Sequence, residues 1–181
     1  MKKLFYLIIA LVTISFTSCE KEPVGGTATQ SLAGQWVVWV DGYDTVGDSV
    51  VIEDFNEGAC FLITYNTAAN DPNQFFVSDQ GGFWDFVVRI ACDPKALTFG
   101  DAAPVENESY PCNVTLTNGK IVPNGTKTPS GMPADYIQFD INFDDDDMGG
   151  EYAGMTAGEV FGFDVYRVYG YRYTGLVNDE P

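Results

Sequence analysis

The stretch "LAGQWVVWV" (residues 32–40) carries two tryptophans, Trp36 and Trp39, in a short apolar run. Successive side chains of a β-strand point to opposite faces of the sheet, so residues at odd spacing face opposite sides. The run predicts a strand over residues 37–40, with the two indole rings on different faces. What each ring does depends on the fold that the rest of the chain builds.

The same two-residue period recurs in two longer segments. In residues 84–92 the aromatic and aliphatic side chains share one face, while Asp85 and Arg89 share the other, and residues 137–143 alternate in the same way. A strict period of two is typical of strands with one buried face. Further strand candidates are residues 49–55, 60–65, 75–77 and 160–173.

Turn residues separate these segments. Asn118-Gly119 lies between strand-like runs and predicts a hairpin, because a type I′ turn needs positive φ at both central residues. No segment has a convincing helical period. Short strands separated by Gly, Pro, Asn and Asp predict an all-β fold, either a sandwich or a barrel.

The composition excludes several functions. The 181 residues suit one domain and contain 26 Asp and Glu against 9 Lys and Arg, without the basic cluster that nucleic acids require. There is no histidine, which removes Ser-His-Asp and Cys-His catalysis and histidine-ligated zinc. We therefore expect no nucleic-acid partner and no cofactor, and we favour a non-enzymatic role. A carboxylate-based hydrolase is the weakest alternative.

The acidic run "DINFDDDDMGGE" (residues 140–151) has oxygen-bearing side chains at several positions of a calcium-binding loop. However, Asp145 stands where the sharp turn of such a loop needs glycine, and Ile141 and Phe143 belong to a strand alternation. We interpret the run as an acidic turn that ends a strand and predict no metal site.

The N-terminus predicts export and lipid anchoring. "MKKLFYLIIALVTISFTSC" has two lysines and an apolar run over residues 4–12, which is shorter than the roughly 20 apolar residues of a spanning helix. Cys19 follows a small residue, as in a bacterial lipobox. We expect a signal peptide over residues 1–18, an acylated Cys19 that holds the protein to the membrane, a lipidated tether over residues 19–31 and the folded domain over residues 32–181. The expected location is the outer membrane, on the cell surface or the periplasmic face.

Three cysteines remain besides Cys19. An exported domain enters an oxidising compartment, so a disulfide is allowed. Cys92 and Cys112 both fall in register with inward-facing residues and bracket the loop around residues 97–111. We predict that they form a disulfide and that Cys60 is a buried thiol; the alternative is three buried free thiols.

Gly34-Gln35-Trp36 resembles the Gly-x-Trp signature of lipocalins and their calycin relatives. In that group the tryptophan closes one end of a β-barrel, and an arginine of the last strand lies across its ring. Arg172, in "GYRYTG" (residues 170–175), is the match. A guanidinium over an indole face gains roughly 0.5–2 kcal/mol. The resemblance implies that Gly34, Trp36 and Arg172 form a structural barrel closure.

Spaced blocks extend the resemblance to most of the chain. Residues 62–71, 83–90, 116–122, 128–146 and 171–180 together resemble a family of bacterial cell-surface lipoproteins described as lipid-binding putative hydrolases. This resemblance implies a single antiparallel lipocalin-like (calycin) β-barrel of about eight strands, and it carries over no catalytic residue. The family pattern is shorter over residues 148–163, which we interpret as an extended hairpin.

The C-terminal segment supplies candidate ligand contacts. Arg167, Tyr169 and Tyr171 share their parity with the apolar Phe163, which suggests either a core-facing strand or a pocket with polar groups at its mouth. The predicted ligand-binding residues are Trp39, Trp84, Arg167, Tyr169 and Tyr171.

Together these features predict a lipid-anchored cell-envelope protein that binds a small hydrophobic or amphipathic ligand, such as a fatty acid, without catalysis. The alternative is a surface module of a nutrient-uptake system that binds a glycan or a protein. In that case the aromatic residues would form an outer platform around a filled barrel. Alternation does not distinguish a hollow barrel from a filled one, so both readings stay open.

Overall fold

The computed structural model describes residues 25–180. The predicted signal peptide, the predicted acylation of Cys19 and the first part of the predicted tether lie outside the described residues.

The described chain forms ten strands in one sheet. The strands are β1 (Gly34–Asp44), β2 (Ser49–Ile52), β3 (Cys60–Asn66), β4 (Gln74–Ser78), β5 (Val87–Asp93), β6 (Thr98–Phe99), β7 (Val105–Glu106), β8 (Asn113–Lys127), β9 (Pro133–Phe143) and β10 (Val165–Arg172). One helix, α1 (Ala157–Phe161), and two 3-10 turns (Gly150–Tyr152 and Val177–Asp179) accompany them. Within residues 25–180, no helix has the length and apolar character needed to cross a bilayer.

The sheet closes on itself into a barrel. Neighbouring strands follow the order β10-β9-β8-β6-β5-β4-β3-β1, and β1 also pairs with β10, with Trp36 opposite Arg172. β2 pairs with the end of β1, and β7 pairs with β8. Closure satisfies the backbone groups that an open sheet would leave at its edges. The prediction of an all-β fold with one antiparallel barrel of eight strands is confirmed.

Side chains fill the barrel interior. On β1 the inward side chains are Trp36, Val38 and Val40, each at most 1% exposed. The other strands add Leu62, Phe75, Val77, Val88, Ile90, Leu116, Ile137, Phe139 and Ile141. Burying each such side chain contributes about 1.5–3 kcal/mol relative to leaving it exposed. A side chain without accessible surface borders no space that water could enter, so the barrel holds a packed core.

Asn118-Gly119 is not the predicted hairpin turn. β8 continues through this dipeptide, and its register against β9 shifts between Thr117 and Lys120. Asn118 does have a positive φ of 55°, but the backbone uses it to form an irregularity within the strand rather than to reverse direction. The prediction was wrong because a positive φ at Asn118 is compatible both with a hairpin turn and with an irregularity inside a continuous strand.

Residues 148–163 do not form the predicted extended hairpin either. Helix α1 begins with a capping box, in which the Thr156 side chain accepts from the Glu159 N–H and the Glu159 side chain accepts from the Thr156 N–H. Gly162, with φ of 88°, ends the helix in a left-handed conformation. These three residues are a sequence signal for the helix that the search for strand periodicity does not detect.

The predicted disulfide between Cys92 and Cys112 is not formed, since Cys60, Cys92 and Cys112 are all free. Asn107 accepts a hydrogen bond from the N–H of Val87, the first residue of β5, and its amide nitrogen lies 3.4 Å from Cys112 Sγ. Cys112 therefore lies beside the start of β5. Cys92 lies near the other end of that strand, roughly 17 Å away at the rise of an extended chain. A disulfide needs Cα atoms within about 7 Å of one another.

The last residues of the predicted tether contact the barrel. Thr29 is fully buried, and the Ala28 N–H donates to Asn70 Oδ1 over 2.7 Å. The Ser31 hydroxyl donates to a backbone carbonyl in the β5–β6 turn over 2.9 Å. Contacts with the barrel therefore begin before Leu32, where the sequence places the start of the domain.

Candidate functional site

Trp36 and Arg172 lie together at the end of the barrel where β1 begins. Arg172 Cζ is 4.2 Å from the centroid of the Trp36 ring. Arg172 also donates from Nη1 to the Ala33 carbonyl over 2.6 Å and from Nε to Asp135 over 3.0 Å. On its other side, Trp36 Nε1 donates to Thr64 Oγ1 over 2.9 Å. The indole is thus enclosed by the barrel wall and the guanidinium.

Gly34 completes this arrangement. A Cβ atom at Gly34 would lie 2.0 Å from Arg172 Nη1, so any larger residue would displace the guanidinium. Trp36 has no accessible surface and therefore no surface with which to contact a ligand. We interpret the three residues as a structural closure of the barrel, separate from any binding site.

A second group of predicted residues meets on the outside of the barrel. β1 and β10 pair with Trp39 opposite Tyr169 and Val37 opposite Tyr171. These residues face outwards, because the alternate residues of β1 face the core. The Trp39 ring centroid lies 6.4 Å from that of Tyr169 and 5.9 Å from that of Tyr171.

These rings line an open groove of about 390 Å³, which we call the outer groove. Its opposite wall is the end of β8 and the β8–β9 connection. The lining residues are Trp39, Thr126, Lys127, Thr128, Pro129, Tyr136, Tyr169, Gly170 and Tyr171. Tyr136 reaches the groove from β9, where it pairs with Tyr171. The outer groove therefore combines four aromatic side chains from three adjacent strands with a wall supplied by a fourth.

The C-terminal turn ties this wall to the barrel. Asp179 is fully buried. Its carboxylate accepts from the Ser130 N–H over 3.0 Å and from the Thr174 hydroxyl over 2.6 Å. The Tyr171 hydroxyl donates to the Asp179 carbonyl over 3.0 Å. Because Ser130 lies in the β8–β9 connection, these bonds hold the wall and Tyr171 in a fixed relation.

The phenol groups of the outer groove stay protonated at neutral pH. Burial and the nearby Asp41 carboxylate raise the pKa of Tyr169 to about 12. Burial likewise raises the pKa of Tyr136 and of Tyr171. The groove thus presents aromatic faces and neutral hydroxyl groups, an environment suited to an apolar or amphipathic molecule.

Arg167, a predicted ligand-binding residue, is not among the residues that line the outer groove. Its Nε donates to Asp140 Oδ1 over 2.8 Å and its Nη2 to Oδ2 over 3.2 Å. The guanidinium also lies 3.3 Å from the centroid of the Tyr43 ring. The Asp140 side chain is fully buried and accepts from Asn118 as well. Arg167 is therefore held in a partly buried ion pair on the outer face of the sheet.

Trp84 lies away from the outer groove, at the end of the barrel where β10 begins. Its ring stacks on Phe143 with centroids 4.4 Å apart and planes at 7°, and its Nε1 donates to Asp145 over 3.2 Å. The buried Asp79 carboxylate holds this loop by accepting from the backbone N–H groups of Gly81, Phe83, Trp84, Asp85 and Phe86. Trp84 therefore packs against the core as part of this barrel end.

The acidic run after β9 anchors loops. Asp144 accepts from Asn113, Asp145 from Trp84 and Tyr110, Asp146 from Tyr166, and Asp147 from Gly149. Cys112 Sγ and carboxylate oxygens of Asp144 and Asp145 lie within 4.8 Å of one another. These carboxylates already accept hydrogen bonds from protein donors, which suits the interpretation of this run as an acidic turn.

Tyr136 and the wall residues 126–129 are not among the residues predicted from sequence. Tyr136 shares its parity with Gln138 and Asp140 in the alternating segment before the acidic run. That parity is the signal that could have placed it outside. The wall has no comparable signal, since it depends on how far β8 continues beyond its irregular register.

Comparison with known proteins identifies the family of the chain. Residues 21–177 match the family described as lipid-binding putative hydrolase, a range that includes every strand of the barrel and all residues of the outer groove. A search of curated proteins finds no match. The family description and the barrel fit a lipid-binding role. The chain belongs to the lipid-binding putative hydrolase family.

Proposed function

We propose that the protein binds a small hydrophobic or amphipathic molecule, without transforming it, in the outer groove. The observation that carries this proposal is the cluster of Trp39, Tyr136, Tyr169 and Tyr171 around an open volume of about 390 Å³. Small-molecule sites typically occupy about 300–1,000 Å³ and are lined mainly by apolar and aromatic side chains. The ligand site lies outside the barrel, because the core fills the interior.

Two further facts support a lipid-like ligand. The family description names lipid binding, and the Trp39, Tyr136 and Tyr169 side chains are partly exposed, so each could bury further apolar area. Removing such area from water contributes about 25 cal/mol per Å². A ligand with an alkyl chain would gain this contribution along the whole groove.

The test is calorimetric titration of residues 25–180 with dodecanoate. Wild-type protein is expected to bind, and Trp39→Ala and Tyr169→Ala are each expected to weaken binding by about tenfold or more, since an aromatic contact is worth roughly 1.5–3 kcal/mol. Tyr152→Ala is the matched control, because Tyr152 is an aromatic residue with 42% exposure that does not line the groove. Equal binding by wild type and the two groove variants would contradict the proposal.

A saccharide is the second candidate ligand. The observation that favours it is the position of the aromatic platform on the outer surface of a filled barrel, as the alternative function requires. Saturable glycan binding that is lost in Trp39→Ala, with no affinity for dodecanoate, would favour this function.

We also propose that the protein is a lipoprotein of the outer membrane, on the cell surface or the periplasmic face, anchored through acylated Cys19. The support is the signal-like run over residues 1–18 and the small residue before the cysteine. In a bacterial host fed an alkyne-bearing fatty acid, the full-length protein is expected to incorporate the label and Cys19→Ala is not. Equal labelling of both would overturn the assignment of Cys19.

A further inference from the structure

We propose that the end of the barrel where β1 begins contacts the surface of the membrane, and that Met132, Leu176 and Val177 enter its apolar region. We call this end the tether end, and the opposite end, where β10 begins, the acidic end. The inference rests on the proposed acylation of Cys19 and adds a contact surface to it. It follows from the path of the chain before β1, from the charge of the two ends and from the exposed apolar side chains.

The chain reaches the barrel at the tether end. Ala28 and Ser31 form hydrogen bonds with the β3–β4 connection and the β5–β6 turn, and both connections lie at the end where β1 begins. Cys19 precedes Gly25, the first described residue, by six positions, and a fully extended chain of that length spans at most about 22 Å. An acylated Cys19 would therefore hold the tether end close to the membrane, with the acidic end farther away by the height of the barrel.

Charge is distributed unequally between the two ends. The segments at the acidic end contain 14 Asp and Glu and no Lys or Arg; they are residues 45–59, 79–86, 107–112 and 144–164. The segments at the tether end contain 3 Asp and Glu and one Lys; they are residues 25–33, 67–73, 94–97, 128–132 and 173–180. A bilayer that contains anionic lipids repels the acidic end far more strongly than the tether end. Charge therefore favours the same orientation as the tether.

Apolar side chains project from the tether end. Met132, in the β8–β9 connection, is 53% exposed, and Leu176 and Val177, in the C-terminal turn, are 51% and 79% exposed. The hydrogen bond from the Ser130 N–H to Asp179 joins the two turns, so the three side chains belong to one surface. Each would gain about 25 cal/mol per Å² of apolar area that the membrane removes from water.

The acidic end also exposes apolar side chains, among them Met155 and Phe161. Both lie within residues 144–164, the segment that holds half of the Asp and Glu at that end. Insertion of these side chains would carry several carboxylates into the interface, and charged groups are costly to transfer out of water. Exposed apolar side chains therefore favour membrane contact at the tether end alone.

The proposed contact brings the outer groove next to the membrane. The wall of the groove, residues 126–129, continues directly into the β8–β9 connection that carries Met132. A hydrophobic ligand would therefore exchange between the bilayer and the groove over a short path, with little of its apolar surface exposed to water.

The experiment measures tryptophan quenching in the full-length protein, purified from bacterial membranes and reconstituted into vesicles of phosphatidylglycerol and phosphatidylcholine with brominated acyl chains. Val177→Trp reports on the tether end. Val46→Trp is the matched control, since Val46 is 93% exposed in the β1–β2 turn at the acidic end. The fluorescence that Val177→Trp adds to that of wild type is expected to be partly lost in brominated vesicles and shifted to shorter wavelength. The fluorescence that Val46→Trp adds should show neither change.

A second substitution tests the contact itself. Leu176→Asp in the Val177→Trp protein should reduce the quenching, because a carboxylate is costly to move into an apolar environment. Phe161→Asp, at a position of the acidic end that is 46% exposed, should leave the quenching unchanged. Equal quenching of Val177→Trp and Val46→Trp, or quenching of neither, would overturn the proposed contact surface.

The outcomes separate this inference from the proposals on which it rests. If Cys19→Ala takes up the fatty-acid label as wild type does, the anchor is overturned and the inference with it. If the protein is acylated at Cys19 but Val177→Trp is not quenched, the anchor stands and the contact surface is overturned. The ligand site is tested independently, because Leu176 does not line the outer groove and Leu176→Asp should bind dodecanoate as wild type does.

Discussion

Trp36 and Trp39 lie on the same strand, yet they occupy opposite environments. Trp36 has no accessible surface and lies between the Thr64 hydroxyl and the Arg172 guanidinium. Trp39 lies on the outer face, beside Tyr169 and Tyr171, with part of its ring open to solvent. The difference shows that one strand carries both the stability of the barrel and its proposed ligand contacts, on alternate faces. Mutations should therefore separate the two properties.

The largest expected effect is that of Trp36→Ala. This change removes a fully buried ring and leaves a cavity, so the free energy of unfolding should fall by about 3–5 kcal/mol. Trp39→Ala should lower it by less than about 1 kcal/mol, as for most partly exposed positions. Urea unfolding followed by circular dichroism measures both values. Similar losses in the two variants would contradict the division between the faces of β1.

The next largest effect is expected from the Arg172 guanidinium, which lies over the Trp36 ring. Arg172→Leu removes the cation–π contact and the hydrogen bonds to Ala33 and Asp135, and it should lower the free energy of unfolding by about 1–2 kcal/mol. Arg89→Leu is the control, because the Arg89–Glu108 pair is exposed and 4.0 Å long. That change should cost less than about 0.5 kcal/mol. A comparable loss in both variants would mean that the closure contributes no more than a surface ion pair.

A smaller effect is expected from Tyr169 at alkaline pH. Its pKa is raised from the ordinary 10.0 to about 12, so the folded state keeps a proton that the unfolded chain releases. The resulting stabilisation is complete below pH 10 and is lost as pH rises towards 12. Tyr169→Phe should therefore lose less stability than wild type over this range, by at most about 1 kcal/mol because the group is screened by solvent. Identical pH profiles from urea unfolding at each pH would refute this prediction.

The smallest expected effect is none at all. Because Cys60, Cys92 and Cys112 are free, adding dithiothreitol should leave the urea midpoint of residues 25–180 unchanged, whereas loss of a disulfide typically costs 2–4 kcal/mol. Burial raises the pKa of Cys60 and of Cys92 to about 11. Both thiols should therefore react slowly with a disulfide reagent in the native protein at pH 8, and all three should react at once in urea. A lower urea midpoint in the presence of dithiothreitol would show that a disulfide is present and would contradict the assignment of three free thiols.

The fold could be predicted from sequence wherever the alternation runs unbroken. Residues 84–92 and 137–143 have clean two-residue periods, and β5 and β9 form there with the predicted faces inside. The Gly34, Trp36 and Arg172 cluster was expected from the resemblance to the Gly-x-Trp signature, and alternation alone would not have brought these three residues together. The expected number of barrel strands, about eight, likewise came from the family resemblance and is confirmed.

The candidate site could not be predicted as well, because the alternation changes phase before β10. Phe163 is buried, and so are Tyr166 and Val168 on the inner face of β10. Helix α1 and the turn after it separate Phe163 from the strand, so parity counted through Phe163 assigns Arg167, Tyr169 and Tyr171 to the wrong face. The register shifts in β8 similarly made it impossible to predict from sequence that residues 126–129 form a wall of the groove. In the first place a helix and a turn interrupt the alternation before β10, and in the second the register shifts within β8. Neither interruption is visible in the alternation of apolar and polar residues.

The pairing of β1 with β10 has a consequence for how the protein folds. The hydrogen bond from Arg172 to Ala33 joins residues 139 positions apart in the chain, and every other pairing between neighbouring barrel strands joins segments closer in sequence. Contacts of such separation cost the most chain entropy and slow folding. Closure of the barrel should be the last step, and Trp36 fluorescence should report it. The intermediate before that step would expose the edges of β1 and β10, which are the strands that carry the outer groove.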